Sequence, residues 1–400
     1  MLTKLEISDY RSCIDMSIAL QPDLSVLIGP NGSGKTNVLN AIVLLRALTT
    51  DRDPPRSRDH IAHESKLKAT FEFDGKKAIL TSNVLVATDE NNSDVVLGSV
   101  QKWYAKDFTG NAKRLEIPLW FHRYVNRKGW YNDARMMHYA MHLEEELDIP
   151  DDFRKALLKI SSFLSSMKYY SASQFTNPSL CPVSFEVEQD GTRRRGIGLR
   201  GQHNRFLYDL YHARETDSYA EFFSVVGPDG IGLVDGIEFK EIPTSSIDYT
   251  VRSGGDVHER RRERLLIVPQ FLIGKNKLSP SQLSEGTFKT ITLLFYLMTV
   301  RSSALLIEEP EVCVHHGLLS SIIELIKTYS KRKQILVSTH SDFVLDQVEP
   351  RNVYGVEMTD NGTEVKNISK SMTSDEMVAL RNYLETEGNL GEYWRHGGFE

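Results

Sequence analysis

A glycine-rich loop lies near the start of the chain, between the apolar run 24–28 and a segment with helical spacing. The loop consists of Gly29, Pro30, Asn31, Gly32, Ser33, Gly34, Lys35 and Thr36. Glycines allow successive backbone N–H groups to turn towards phosphate oxygens, and the start of a helix adds partial positive charge. Lys35 can then reach the β- and γ-phosphates, and the Thr36 hydroxyl can bind Mg²⁺. The pattern predicts a P-loop that binds a nucleoside triphosphate.

Two carboxylates end a second apolar run, 304–307, much later in the chain. They are Glu308 and Glu309. In P-loop enzymes, the residue that ends such a strand holds Mg²⁺, and the next can orient the attacking water. We therefore assign Glu308 to the metal and Glu309 to the water. Glu308 stands where Asp is usual, so its longer side chain implies a small shift or a water-mediated contact. A solvated acidic loop is the alternative interpretation.

Two further segments could also contribute to a nucleotide site. His340 follows a third apolar run, 334–339, and a histidine just past a strand end can contact the γ-phosphate. Ser284, Glu285 and Gly286 precede a strongly apolar helical segment. Ser284 is a good N-cap residue, and the same three residues could also form a second phosphate-binding helix start.

In this order, the four motifs resemble those of ABC-type ATPases. The resemblance is to the RecF/SMC-like branch and, within it, to the OLD-like ATP-binding proteins of bacterial phage-defence systems. The opening strand with Arg11 resembles a segment whose arginine approaches the nucleotide, and 308-EEPE-311 resembles an OLD-like segment. His316 departs from that pattern, which has proline there. The resemblance covers residues 1–50 and 265–350 firmly and the middle of the chain loosely.

The resemblance implies ATP and Mg²⁺ as cofactors, with Lys35, Glu309 and His340 in catalysis. It also implies that two heads sandwich the ATP, so that the segment 284–286 serves the ATP of a second copy. A homodimer or a larger assembly of dimers is therefore expected. A glutamine after a strand couples Mg²⁺ to the helical lobe in this family, and Gln174 is the candidate here. The 60 residues after His340 cannot hold the TOPRIM nuclease domain of OLD nucleases, so a separate nuclease or toxin subunit would be the effector.

Composition sets broader limits. The chain has 400 residues, a net charge of −6 and three cysteines without disulfide or zinc spacing, so we expect a cytoplasmic protein in a reducing compartment. Its first residues lack the apolar stretch of a signal peptide, and no apolar run is long enough for a membrane span. The arginine clusters 193–195 and 260–262, the second together with Arg264, could contact nucleic-acid phosphates, although such runs are more often solvated.

These motifs need an α/β fold to position them: a P-loop NTPase with an ABC-type ATPase head, a mixed central sheet, an antiparallel β lobe and a short helical lobe. We predict a P-loop and β lobe at 1–174 with a helical insertion near 130–167, and a helical and signature lobe at 175–277. The signature segment, the acidic strand and His340 occupy 278–350, and a hairpin and helix occupy 351–400. Sustained heptads are absent, which excludes long SMC-type arms.

Three functions fit these features. The first is an ATPase whose head-to-head dimerisation regulates a partner effector, as the resemblance to phage-defence proteins implies. The second is a RecF-like ATPase that binds DNA directly in repair or recombination. The third is a transporter nucleotide-binding subunit, against which the E-E-P-E segment and the large insertions argue.

Overall fold

The computed structural model describes residues 1–47, 62–88, 94–105, 113–117, 151–190, 193–196, 201–251, 257–299, 302–312, 314, 316–386 and 388–395. These form two units. The first comprises residues 1–169, 301–311 and 323–400, and the second comprises 170–300 and 312–322. The part of the predicted insertion at 130–150 and the tail 396–400 lie outside the described residues.

The strands and helices follow one another along both units. The strands are β1 Leu2–Tyr10, β2 Cys13–Ala19, β3 Leu24–Ile28, β4 Ala62–Phe73, β5 Lys76–Thr88, β6 Asp94–Ala105, β7 Lys113–Ile117, β8 Lys168–Ser171, β9 Phe185–Asp190, β10 Arg193–Gly196, β11 Gly236–Val251, β12 Val257–Ile273, β13 Asn276–Leu278, β14 Ala304–Glu308, β15 Gln334–Thr339, β16 Val353–Thr359 and β17 Gly362–Asn367. The helices are α1 Lys35–Ala47, α2 Asp151–Ser166, α3 Gln202–Ala213, α4 Asp217–Val226, α5 Glu285–Met298, α6 His316–Ser330, α7 Asp342–Leu345, α8 Ile368–Ser371, α9 Ser374–Thr386 and α10 Leu390–Arg395.

A mixed sheet organises the first unit. Its strand order is β17-β16-β3-β15-β14-β8. The pairs β14–β15, β15–β3 and β3–β16 are parallel, and β17 is antiparallel to β16. Every residue of β3, β14 and β15 is buried, as expected for parallel strands covered on both faces. The carboxyl ends of these three strands meet at one edge, where open α/β sheets bind their ligands.

A second, antiparallel sheet belongs to the same unit, with strand order β2-β1-β4-β5-β6-β7. The buried side chains of α1, which include Val38, Leu39, Ile42 and Leu45, share one hydrophobic core with residues of both sheets. The hairpin β4–β5 turns at Asp74 and Gly75, which both have positive φ.

The second unit combines an antiparallel sheet with helices. The sheet has the order β10-β9-β12-β11, and β13 pairs with β12. Residues 288–298 of α5 are all buried, and aromatic rings fill the core around this helix. Phe206 of α3 contacts Phe288 and Phe295 edge-to-face, with ring centroids 5.5 Å apart in both pairs. The apolar character of α5 is therefore explained by burial.

The predicted fold class, a P-loop NTPase with a mixed central sheet and an antiparallel β lobe, is confirmed. Residues 175–277 contain more strand than the sequence suggests. Along the chain, β9 and β10 precede the two helices α3 and α4, and β11 and β12 follow them. The helical part of this lobe is divided into two helices, α3 and α4. Thr216 separates them, because its side chain accepts a hydrogen bond from the N–H of Tyr219 and caps α4. The units divide at residue 169, whereas the sequence places the boundary at 174.

Candidate nucleotide site

The P-loop connects β3 to α1 in the first unit. Gly32 and Gly34 have φ values of +83° and +103°, which side chains other than hydrogen rarely allow. The N–H of Ser33 donates to the Pro30 carbonyl at 3.2 Å, and α1 begins at Lys35. The loop therefore has the backbone geometry that turns N–H groups towards an anion.

The hairpin β16–β17 lies directly against this loop. A Cβ atom on Gly29 would lie 2.1 Å from the carbonyl oxygen of Val356, and one on Gly34 would lie 2.0 Å from Oγ1 of Thr363. Both glycines are thus required by close approach, and the C-terminal hairpin fixes the position of the loop.

Lys35 folds back onto its own loop. Its ammonium donates hydrogen bonds to the carbonyl oxygens of Gly29 at 2.8 Å and Pro30 at 2.9 Å, and the residue is only 6% exposed. Burial lowers the pKa of Lys35, and three carboxylates partly oppose this effect: Glu309, Glu311 and Glu308. A buried cation at the centre of a glycine loop is well placed to compensate phosphate charge.

Thr36 and Glu308 meet at the end of β14. The Thr36 hydroxyl donates a short hydrogen bond to Oε1 of Glu308, and the hydroxyl of Tyr169 donates to Oε2 of the same carboxylate at 2.6 Å. Glu308 is 8% exposed, so its carboxylate depends on these hydroxyls for hydrogen bonding. A hydroxyl and a carboxylate oxygen side by side are ligands suited to Mg²⁺.

The next residues bring two acids to His340. Glu309 has φ +50°, and its N–H donates to the Ser338 carbonyl at 2.9 Å. Nδ1 of His340 lies 3.8 Å from Oε1 of Glu309 and 3.3 Å from Oε1 of Glu311. Oε1 of Glu311 also accepts from the His340 N–H at 3.0 Å and from the Thr339 hydroxyl at 2.6 Å. Backbone strain at a non-glycine residue such as Glu309 is common at functional sites.

Arg11 approaches the start of α1 from the turn between β1 and β2. Its φ is +52°, and its guanidinium lies 3.4 Å from Oδ1 of Asn37. The side-chain amide of Asn37 donates to the Ser12 hydroxyl at 2.6 Å, and Ser12 shares a 2.7 Å hydrogen bond with the Thr363 hydroxyl. This polar chain links the N-terminal turn, the P-loop helix and the C-terminal hairpin.

The residues of the first unit fit a bound triphosphate with a divalent cation. The buried Ser33 hydroxyl has no hydrogen-bond partner within the described residues, and it lies in the loop that would surround phosphate oxygens. The described part of the chain contains no group of three or more His, Cys, Asp or Glu side chains that could hold a metal ion. Thr36 and Glu308 would therefore hold Mg²⁺ together with the phosphates.

The other predicted site residues belong to the second unit. Ser284 caps α5 by accepting from the Thr287 N–H at 3.2 Å. Glu285 forms a 2.6 Å ion pair with Lys289, whose side chain is 1% exposed. Gln174 lies in the short 3₁₀ turn Ala172–Phe175, and its Oε1 atom is buried without a hydrogen-bond partner in the described ranges.

The structure thus groups Arg11, Lys35, Thr36, Glu308, Glu309 and His340 in the first unit, and Gln174 and 284–286 in the second. Sequence reasoning missed Tyr169, Glu311, Asn37 and Thr363 as neighbours of the site. The aromatic strand before Gln174 and the third acid of 308-EEPE-311 were the available signals, but neither reveals a contact partner.

Comparisons with known proteins agree with this geometry. Residues 1–189 match the model of the AAA ATPase domain, and residues 231–346 match that of the AAA domain described as putative AbiEii toxin, type IV TA system. Both matched models describe AAA-type ATPase domains, in agreement with the P-loop fold. The chain is therefore similar to AAA-type ATPase domains and, over part of its length, to RecF proteins.

Among curated relatives, the DNA replication and repair protein RecF of Psychromonas ingrahamii is 26% identical over 197 residues, which is 47% of this chain and 52% of that protein. RecF of Limosilactobacillus fermentum is 39% identical over 67 residues, which is 17% of this chain and 18% of that protein. The chain therefore spans about half, or less, of the length of these relatives. The SMC head domain from Thermotoga maritima superposes with a TM-score of 0.42 at 14% identity, covering 92% of this chain and 98% of that one. No helix in the described residues is long and apolar enough to cross a membrane.

Proposed function

We propose that the chain binds and hydrolyses Mg·ATP and uses this cycle to open and close a dimer of heads. The observation that carries the proposal is the hydrogen bond between Thr36 and Glu308, formed beside the buried ammonium of Lys35. Phosphate-binding, metal-binding and acidic groups thus converge where the parallel strands end, as ATP hydrolysis requires.

The roles follow from the chemistry of each side chain. Lys35 and the N–H groups of the loop compensate the charge of the phosphates. Thr36 and Glu308 would hold Mg²⁺, and the bound ion would supply positive charge beside the phosphate oxygens. Glu309 orients the attacking water and accepts its proton, and His340 donates a hydrogen bond at the γ-phosphate.

The segment 284–286 and Gln174 complete the proposal. By the resemblance to ABC-type ATPases, the N-terminus of α5, capped by Ser284, would face the ATP of a second copy, where the helix dipole favours negative charge. Gln174 would contribute to the Mg²⁺ site. ATP would then join two heads, and hydrolysis would release them.

We further propose that this switch controls a separate effector subunit, a nuclease or a toxin, in bacterial anti-phage defence. The match of residues 231–346 to a domain described with a putative toxin supports this reading. The RecF similarity over 197 residues favours the alternative, a DNA-binding ATPase in repair or recombination. Binding of duplex and gapped DNA, measured over a salt series with and without ATP, separates the two. Salt-sensitive binding that changes with ATP supports the RecF-like function, and no binding in either state rules it out.

Two substitutions test the ATPase itself. Glu309→Gln should keep ATP affinity, slow hydrolysis by about a hundredfold or more, and accumulate a dimer with ATP in size-exclusion chromatography. Lys35→Ala should lose most of the affinity for ATP, because it removes the buried charge. Glu357→Gln, which makes the same change at an exposed position of β16, is the matched control for Glu309→Gln. Hydrolysis near the wild-type rate in Glu309→Gln would remove Glu309 from its role, and retained ATP affinity in Lys35→Ala would contradict the nucleotide site.

A further inference from the structure

Tyr169 is the second partner of the carboxylate that ends β14. Its hydroxyl donates to Oε2 of Glu308 at 2.6 Å, while the Thr36 hydroxyl donates to Oε1. Each carboxylate oxygen therefore has one hydroxyl partner on its own side. All three residues belong to the first unit.

The length of Glu308 makes this second partner important. Glutamate has one more methylene group than the usual aspartate, and rotation about its last bond is broad, with two preferred orientations. A carboxylate that must present one oxygen to a metal needs an additional restraint on that rotation. The ring of Tyr169 supplies it, because it packs against the hydrophobic core of the first unit and aims its hydroxyl at Oε2.

We propose that Tyr169 is a positioning residue that compensates for the Glu at position 308. By holding Oε2 of Glu308, Tyr169 fixes Oε1 of Glu308 beside the Thr36 hydroxyl. Oε1 and the Thr36 hydroxyl oxygen would then bind Mg²⁺ together. Tyr169 itself contacts neither nucleotide nor metal. This inference rests on the proposed function, because it assigns Tyr169 a role in the metal affinity of the same site.

A purely structural role makes a different prediction. If the hydroxyl of Tyr169 only satisfies a buried carboxylate, its removal lowers stability but leaves the benefit of Mg²⁺ for nucleotide binding unchanged. If it orients the carboxylate, its removal weakens nucleotide binding only when Mg²⁺ is present. The two roles separate in a binding measurement that needs no hydrolysis.

The experiment is calorimetric titration of Tyr169→Phe with a non-hydrolysable ATP analogue, once with Mg²⁺ and once with EDTA. We expect the affinity with Mg²⁺ to fall about tenfold, equivalent to about 1.4 kcal/mol, and the affinity in EDTA to stay within twofold of the wild type. In a Glu308→Asp background, Tyr169→Phe should have no further effect, because the shorter carboxylate cannot reach both hydroxyls.

Tyr354→Phe is the matched control. Its hydroxyl donates to the Ala19 carbonyl at 2.5 Å in the same unit, so it loses a comparable hydrogen bond without touching Glu308. If Tyr169→Phe and Tyr354→Phe bind the ATP analogue with equal affinity in the presence of Mg²⁺, the inference is overturned. If the wild type binds no nucleotide in either condition, the proposed function fails as well. If Lys35→Ala abolishes binding while Tyr169→Phe keeps the full Mg²⁺ effect, only the role of Tyr169 fails.

Discussion

Alanine substitutions at the P-loop glycines should destabilise the protein by amounts that the structure distinguishes. Gly32 has φ +83° and nothing within 4 Å of an added Cβ, whereas Gly34 has φ +103° and would place that Cβ 2.0 Å from Oγ1 of Thr363. Gly32→Ala therefore tests backbone conformation alone, and Gly34→Ala adds a steric clash.

The expected losses of stability follow from the backbone conformation and the steric clash. A left-handed conformation costs a non-glycine residue about 1–2 kcal/mol, and alanine recovers about 0.4–1 kcal/mol by restricting the unfolded chain. Gly32→Ala should thus lower the free energy of unfolding by about 1 kcal/mol. Overpacking adds about 1–3 kcal/mol, so Gly34→Ala should lose about 2–4 kcal/mol.

Urea unfolding of the nucleotide-free protein measures both losses, and Thr363→Ala completes a double-mutant cycle with Gly34→Ala. Since Thr363→Ala removes the two closest clashing atoms, Oγ1 at 2.0 Å and Cγ2 at 2.8 Å, and leaves only Cβ at 2.9 Å, the pair should show a coupling of about 1–3 kcal/mol. The same cycle with Gly32→Ala should show none. Equal losses for the two glycines, or no coupling between positions 34 and 363, would refute the claim that the C-terminal hairpin fixes the loop.

Three further predictions concern neighbours of the site. Glu311→Ala should reduce the rate of ATP hydrolysis about tenfold to a hundredfold by releasing His340, with ATP affinity retained in equilibrium binding; an unchanged rate would show that Glu311 does not orient the histidine. Arg11→Ala and Asn37→Ala should each weaken ATP binding, and the double variant should be no weaker than the worse single one; additive losses would mean that the two act separately. Burial raises the pKa of the Cys13 thiol to about 11 from an ordinary 9.0, so the unfolded chain loses this proton first as the pH rises. The titration of this thiol alone should then lower the free energy of unfolding by about 2 kcal/mol between pH 9 and pH 11, and Cys13→Ala should remove that contribution; an identical pH slope in the variant would contradict the shift.

The sequence predicts this fold well wherever local signals and burial agree. The strand before the P-loop, the strand that ends at Glu308 and the strand before His340 are short, wholly apolar runs, and such runs become buried parallel strands. Because these three strands run in the same direction in one sheet, their ends bring Lys35, Glu308 and His340 to one edge. The glycine spacing and the order of the motifs along the chain are the signals that predict this part of the site.

Contacts between distant segments are beyond such reasoning. Tyr169 reaches Glu308 across 139 positions, and no local pattern distinguishes it from the neighbouring Tyr170, whose hydroxyl instead donates to the Lys289 carbonyl. The strand β12 was also missed, because its charged run 258–264 lacks the apolar alternation of a half-buried strand. There the pairing with β11 along its whole length, and not the side-chain pattern, accounts for the strand.

The hydrogen bond between Ser12 and Thr363 joins residues that are 351 positions apart. During synthesis, the N-terminal part of the chain leaves the ribosome first, and the P-loop sequence emerges long before the hairpin that supports it. A nascent chain would therefore carry all eight residues of the loop without its final geometry. Nucleotide binding would begin only after the last strands have been made, so the order of translation itself would delay the switch until the head is complete.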